Sequence, residues 1–319
     1  MMPTLGYTLA SEEHGPRDLV AYAQEAERIG FSHALISDHF HPWIDRQGQS
    51  PFVWGVIGAV AQATQRLTLG TGVTCPTRRI HPAIIAQAAA TAASLMPGRF
   101  FLGVGTGENL NEHILGQRWP AYDLRSAMLE EAVEVIRALW QGDSYTHYGR
   151  FYTVENARIY TLPDELPPLM VAASGTSAAE VAGRLGDGLI STAPDKEVVD
   201  IFQAHGSGSR PRFGQMTVCC GSDVAAARRT ARDHWPTSAL HGELNQELPT
   251  PAHFEQATRD VTPDMIAEVI VCGNDVDEHR RQIDAFADAG FDHVYLHQVG
   301  PDQDAFFKFY AQEILPAYQ

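Results

Sequence analysis

The chain has 319 residues, 44% hydrophobic and 19% charged, which is the composition of a folded globular protein with a large core. A net charge of -16 argues against a general nucleic-acid binder and against docking on anionic membranes, and leaves neutral small molecules open as substrates. No charged-then-apolar leader opens the sequence and no apolar run reaches the ~18 residues of a membrane span, so a soluble cytoplasmic protein is expected. Cys75, Cys219, Cys220 and Cys272 lack zinc-site spacing and are expected as buried free thiols.

Leu5 to Ala10 reads as a first strand. The acidic loop Ser11-Glu12-Glu13 follows, and Pro16 opens an amphipathic helix that runs to Ile29 and closes at Gly30. Phe31 to Ile36 has the length of a short buried strand, which brings Asp38 and His39 out at its carboxyl end, where α/β folds keep their chemistry. An irregular insertion near 39–51 leads to an apolar helix from Phe52 to Gln65. The third strand, Arg66 to Val73, feeds an Ala-rich helix from His81 to Leu95. The fourth, Phe100 to Gly105, enters an insertion near 108–122, and a long helix spans Leu124 to Trp140.

Four strand–helix repeats with near-continuous apolar strands imply a parallel sheet covered by helices. Aromatic alternation about Gly149, between Tyr145 and Tyr160, predicts a β-hairpin within an insertion near 143–162. The repeat resumes with strands at Pro168 to Gly175, Gly188 to Thr192 and Arg212 to Cys219, with helices at Ser177 to Leu185 and up to Asp233. Residues 236–262, rich in Pro, Gly, Glu and His without clear periodicity, suit a long loop or lid. Helical segments at Pro263 to Val269 and Asp277 to Ala289 precede an eighth strand, His293 to Gln298, and a last helix covers Ala305 to Leu315. Eight strands in this order without a linker favour one domain over 1–319, an α/β fold of the (β/α)8 TIM-barrel type, over a doubly wound open sheet.

Asp38-His39-Phe40-His41-Pro42-Trp43 gathers groups that can move protons, although alone it reads equally well as a turn cap with a packed His. The breaks at Gly70 to Val73, Gly105 to Glu108, Ser174-Gly175 and Ser191-Thr192 would surround the same mouth, where small residues admit a flat ring or a phosphate. Gly103 to Glu108 lacks the context of a dinucleotide fingerprint, so a nicotinamide Rossmann site is discounted. No metal is expected, because His39 and His41 have no ligand cluster on later strands to join. His33, His293 and His297 lie on strands, where they could as well be satisfied core residues as members of a site.

Leu5-Gly6-Tyr7 with Glu12, Ser37-Asp38-His39-Phe40 with Pro42-Trp43, Leu69 to Val73, Pro82 to Gln87, and Phe101 to Glu108 with Leu110-Asn111-Glu112 together resemble the luciferase-like flavin and deazaflavin oxidoreductases. Within them the likeness is to the coenzyme F420-dependent glucose-6-phosphate dehydrogenase group; it is dense to Glu108 and thin from 200 to 262. The resemblance implies a hydride exchanged between the deazaflavin and an alcohol or carbonyl substrate, and a homodimer. It implies that Asp38 contacts the deazaflavin, that Gly72-Val73 is a non-prolyl cis peptide against the ring, and that Cys75, Thr106, Gly107 and Asn111 complete the cofactor site. Ser174, Gly175 and Thr192 would take the phosphate end of the cofactor. His39 and Glu108 would be the acid–base pair, with Trp43 stabilising the charged intermediate.

Glu12, Asp195, Gln256 and Arg280 are the substrate candidates by the same resemblance. Asp195 and Gln256 stand where the sugar-phosphate enzymes place lysines, and an anion facing Asp195 would be repelled, which speaks against glucose 6-phosphate. An FMN-dependent monooxygenase fed by a separate reductase is the alternative enzyme, and a cofactor-carrying protein without turnover the alternative outside enzymology.

Overall fold

The computed structural model describes residues 2–318. Eight parallel strands close into a barrel: β1 (Thr4–Leu9), β2 (His33–Ile36), β3 (Thr68–Thr71), β4 (Phe100–Val104), β5 (Leu169–Ala172), β6 (Gly188–Ser191), β7 (Arg212–Cys219) and β8 (His293–Gln298). Each pairs with the next, and β8 pairs with β1 to close the ring. The helices on the outside are α1 (Pro16–Ile29), α2 (Val53–Ala63), α3 (Pro82–Leu95), α4 (Tyr122–Leu139), α5 (Thr176–Leu185), α6 (Lys196–Ala204), α7 (Val224–His234), α8 (Val276–Ala289) and α9 (Gln303–Phe309). The (β/α)8 barrel expected from the strand count is the architecture found. No helix among the described residues is long and apolar enough to cross a membrane.

Local chemistry sets the element ends. α1 begins at Pro16, whose fixed φ suits a first turn, and stops at Gly30, which takes the left-handed conformation at φ 110. Glu27 on α1 accepts hydrogen bonds from the amides of Gln65, Arg66 and Leu67, which aims the chain into β3. Two regions differ from the sequence expectation. The stretch after β6 holds α6, an amphipathic helix whose first turn is capped by Asp195. Residues 236–262 are not an open loop but carry a chain of short helices, Pro236–Ala239 (3-10), Leu244–Glu247 and Pro251–Ala257.

The core has two shells. Between sheet and helices lies the larger one, which includes the ring cluster of Tyr7, Phe31, Phe306 and Tyr310 beneath α9. Along the barrel axis Leu35, Phe101, Met170, Ile190, Phe213 and Tyr295 form a plug. Gly70 makes room for the Phe101 ring, which a Cβ there would strike. With the axis filled, the open volume is left at the carboxyl ends of the strands.

Candidate active site

A cavity of about 550 Å³ opens at that mouth, bordered by Thr8, Glu12, His39, Trp43, Glu108 and His297 among others, with no Lys or Arg among its lining residues. His39 stands at the end of β2. Its Nδ1 lies 3.2 Å from the carbonyl of His41, which can only accept, so Nδ1 is the donor of that contact and Nε2 is turned toward the cavity. Nε2 faces two carboxylates, Glu12 Oε1 at 3.4 Å and Glu108 Oε2 at 3.5 Å. Glu12 is held by the Ser37 hydroxyl, which donates to its other oxygen at 2.6 Å. The Trp43 ring lies 5.1 Å from the His39 ring, centroid to centroid.

Trp43 in turn packs edge-on against buried Phe254, 5.2 Å away, in an apolar cluster with Ile44 and Leu110. The segment 236–262 is thereby clasped to the insertion after β2. Arg125, fully buried, adds a second tie through Glu247 and Gln246 at 2.9 and 2.8 Å.

Several residues expected at the cofactor have partners within the fold. The Asp38 carboxylate has no exposed surface: Oδ1 pairs with Arg79 at 2.7 Å, and Oδ2 accepts from the Thr74 hydroxyl at 2.8 Å. Asp38 thus anchors the loop after β3 and does not line the cavity. Arg79 also binds buried Glu112, whose carboxyl burial pushes up despite that partner. Asn111 accepts from the amides of Phe40 and His41 and donates to Glu108 at 2.9 Å, so it stitches the loop after β2 to the loop after β4. Cys75 is buried under Gly107, its thiol against Thr77 at 3.0 Å and pushed up by burial. The Gly72–Val73 peptide is cis, and Gly72 borders the cavity while Val73 packs on the axial plug.

Thr106 and Gly107 are half-buried beside Glu108, Gly107 in the left-handed region at φ 81. Thr192 lines the cavity. Ser174 is exposed, and Gly175 begins α5 with no side chain capping its amides and open space where a Cβ would stand. The helices that follow, α6, α7 and α8, are each capped by an aspartate. The free amides of α5 therefore suit the phosphate that the resemblance places there.

The expected substrate positions separate. Glu12 joins His39, but Asp195 turns its carboxylate onto the amides of Glu197 and Val198 as the cap of α6. Gln256 is exposed on the short helix Pro251–Ala257, away from the cavity lining. Arg280 sits on the outside of α8 and donates to the carbonyl of Glu313 at 2.9 Å. Sequence reasoning missed Arg79 and Thr74 as partners of Asp38; the signal was a pair of arginines, Arg78-Arg79, in a loop next to the mouth of an acidic chain.

A barrel whose mouth holds an imidazole between two carboxylates under an indole has the form of a cofactor-dependent oxidoreductase site. The chain belongs to the family described as luciferase-like monooxygenase, whose model matches residues 2–293. It is 39% identical to an F420-dependent glucose-6-phosphate dehydrogenase of Beutenbergia cavernae, over 99% of this chain and 97% of that one. A protein of the same description from Microbacterium testaceum is 35% identical over 98% and 96%. Among solved structures, an F420-dependent secondary alcohol dehydrogenase in complex with an F420-acetone adduct superposes over the full length of both chains with a TM-score of 0.92 at 30% identity.

Proposed function

We propose that this chain is a coenzyme F420-dependent dehydrogenase that oxidises a hydroxyl-bearing carbon. The observation that carries it is the placement of His39 Nε2 between Glu12 and Glu108 at the cavity. The relatives and the structural neighbour that share the cofactor in their names support the choice of F420 over FMN. Bound at this mouth, the deazaflavin supplies the ring that accepts the hydride. Gly72, Val73, Thr106 and Gly107 are the residues offered to the ring side, and Ser174, Gly175 and Thr192 to the phosphate end.

In this reading His39 Nε2 takes the proton of the substrate hydroxyl. The imidazolium so formed is balanced by the two carboxylates and by the adjacent Trp43 ring. Glu108, 31% exposed against 3% for Glu12, is the carboxylate open to solvent and, as the other half of the acid–base pair, would supply the proton that the reduced cofactor takes up, so that the carbon gives up one hydride and one proton and the cofactor gains one of each. Asp38, Arg79 and Asn111 keep the loops that carry these groups in place.

Glucose 6-phosphate, the substrate named for the relatives, is the first compound to assay. The expectation against it is not borne out, and its physical premise fails, because the Asp195 carboxylate is spent on α6 and does not face the cavity. Fluorescence titration should show F420 quenched on binding and FMN left free. Loss of oxidised F420 absorbance on adding glucose 6-phosphate or 2-propanol should follow. Binding of FMN with oxygen uptake, and none of F420, would overturn the proposal.

A further inference from the structure

Arg125 on α4 is a fully buried guanidinium, 1% exposed, that does not border the cavity. A charge so placed has to be paired, and its carboxylate is Glu247, at 2.9 Å, with Gln246 accepting a further hydrogen bond at 2.8 Å. The carbonyl of Pro120 accepts another, and the Trp119 ring lies 4.5 Å from the guanidinium carbon. The Trp119 indole also donates to the same Glu247 oxygen at 3.3 Å. The short helix Leu244–Glu247 is therefore fixed against α4 and the insertion before it.

From Glu247 the contacts continue into the site. Its carbonyl accepts from the Asn109 side chain at 2.9 Å. Asn109 follows Glu108 in the chain and opens the short helix Asn109–Glu112, whose Asn111 donates to the Glu108 carboxylate. Between the end of β4 at Val104 and that helix the chain runs Gly105-Thr106-Gly107-Glu108, with Gly107 left-handed, so the backbone that carries Glu108 has little stiffness of its own. Its carboxylate nevertheless lies 3.5 Å from His39 Nε2 with 31% of the side chain in solvent. We propose that Arg125 is a positioning residue: through Glu247 and Asn109 it holds Glu108 beside His39 while touching neither. This rests on the dehydrogenase reading above for what Glu108 does, but not for the coupling itself.

The two links in the chain of contacts can be cut separately. Leu244–Glu247 also carries Asn245, which borders the cavity. Glu247→Ala leaves Arg125 buried without its counter-charge and frees the short helix, which disturbs Asn245 and Glu108 together. Asn109→Ala leaves the Arg125–Glu247 pair intact and releases Glu108 alone.

Both variants are made in the full chain, with Arg125→Lys as the conservative change and thermal unfolding to confirm folding. Hydrogen–deuterium exchange of the cofactor-free protein reads the amides of 108–116, where Asn111 and Glu112 bond back to the Glu108 carbonyl. They should exchange faster in both variants by on the order of tenfold, the worth of one hydrogen bond, with β2 unchanged. Turnover of F420 with glucose 6-phosphate or 2-propanol, whichever the wild type accepts, should lose about as much in kcat, while KM rises for Glu247→Ala and stays for Asn109→Ala. Arg125→Lys keeps the charge but not the fork and should fall between wild type and Glu247→Ala. In a Glu108→Gln background Asn109→Ala should lower kcat no further. Unchanged exchange at 108–116, an unchanged kcat in an active enzyme, or the same loss of kcat with and without the Glu108 carboxylate overturns the inference. Faster exchange in both variants, with no turnover of F420 by the wild type, would sink the dehydrogenase reading and leave the coupling standing.

Discussion

His33 and His297 are both fully buried imidazoles that face into the barrel, yet they lie at opposite ends of it and in opposite surroundings. At the closed end His33 meets the Ser32 hydroxyl at 2.9 Å and is edge-on to Phe213 and His293 at 5.2 and 5.3 Å. Its Nε2 lacks a partner, but it abuts Gly6, where a Cβ would run into the ring, so close packing accounts for it. Arg212, Asp292 and His293 close that end with contacts of 2.6 Å. At the open end His297 borders a cavity, and His39 a few strands away stands between carboxylates. Depth along the axis, rather than burial, separates a histidine packed into the closed end from one that borders the cavity.

The largest expected effect lies at the open end. His39→Ala should lower turnover by ~10²- to 10⁴-fold, the usual worth of a general base, while F420 affinity stays nearly intact. Stopped-flow and equilibrium titration of the same preparation check it; loss of cofactor binding instead would make His39 a ligand of the cofactor. At the closed end, Gly6→Ala should destabilise by about 1–3 kcal/mol through overpacking against His33, read as a lower denaturation midpoint. A neutral result would show that His33 can move aside and that the two ends are less different than their geometry.

The smallest effect concerns pH. The folded pKa of His297 is depressed to about 3, against ~6.5 for an unfolded chain, so between these values the unfolded state binds a proton that the folded state does not. Its contribution to stability is therefore complete above pH ~6.5 and is lost as pH falls toward ~3. Urea unfolding at pH 7 and pH 5 should show a loss steeper in the wild type than in His297→Gln by about 1 kcal/mol per pH unit. Equal slopes would place a proton on His297 in the folded state.

Much of this was legible in the sequence. Eight strands with Asp38-His39 at the end of the second led directly to the barrel and its mouth, because strand ends are marked by breakers and by the end of an apolar run. What sequence spacing did not reveal was who partners whom. Asp38 and Asn111 sit beside the mouth but spend their hydrogen bonds on Arg79, Thr74 and the Phe40 and His41 amides, contacts made across loops distant in sequence. Asp195 looked like a substrate contact and is a helix cap, since α6 itself was not read after β6. Whether His297 is a satisfied core residue stayed open in the sequence, because its lack of hydrogen-bond partners shows only in three dimensions.

The Trp43–Phe254 contact has a consequence for anyone who wishes to change what this enzyme accepts. Residues 236–262 look like an exchangeable cassette, the natural piece to transplant between relatives, but Phe254 shares a core with the indole that leans on His39. The part of the cavity lining that this segment supplies, Thr237, Ser238, Leu240 and Asn245, is therefore mechanically coupled to the packing of Trp43 on His39. A transplant that leaves 39–51 behind would unseat Trp43, and the two segments should travel as one heritable unit.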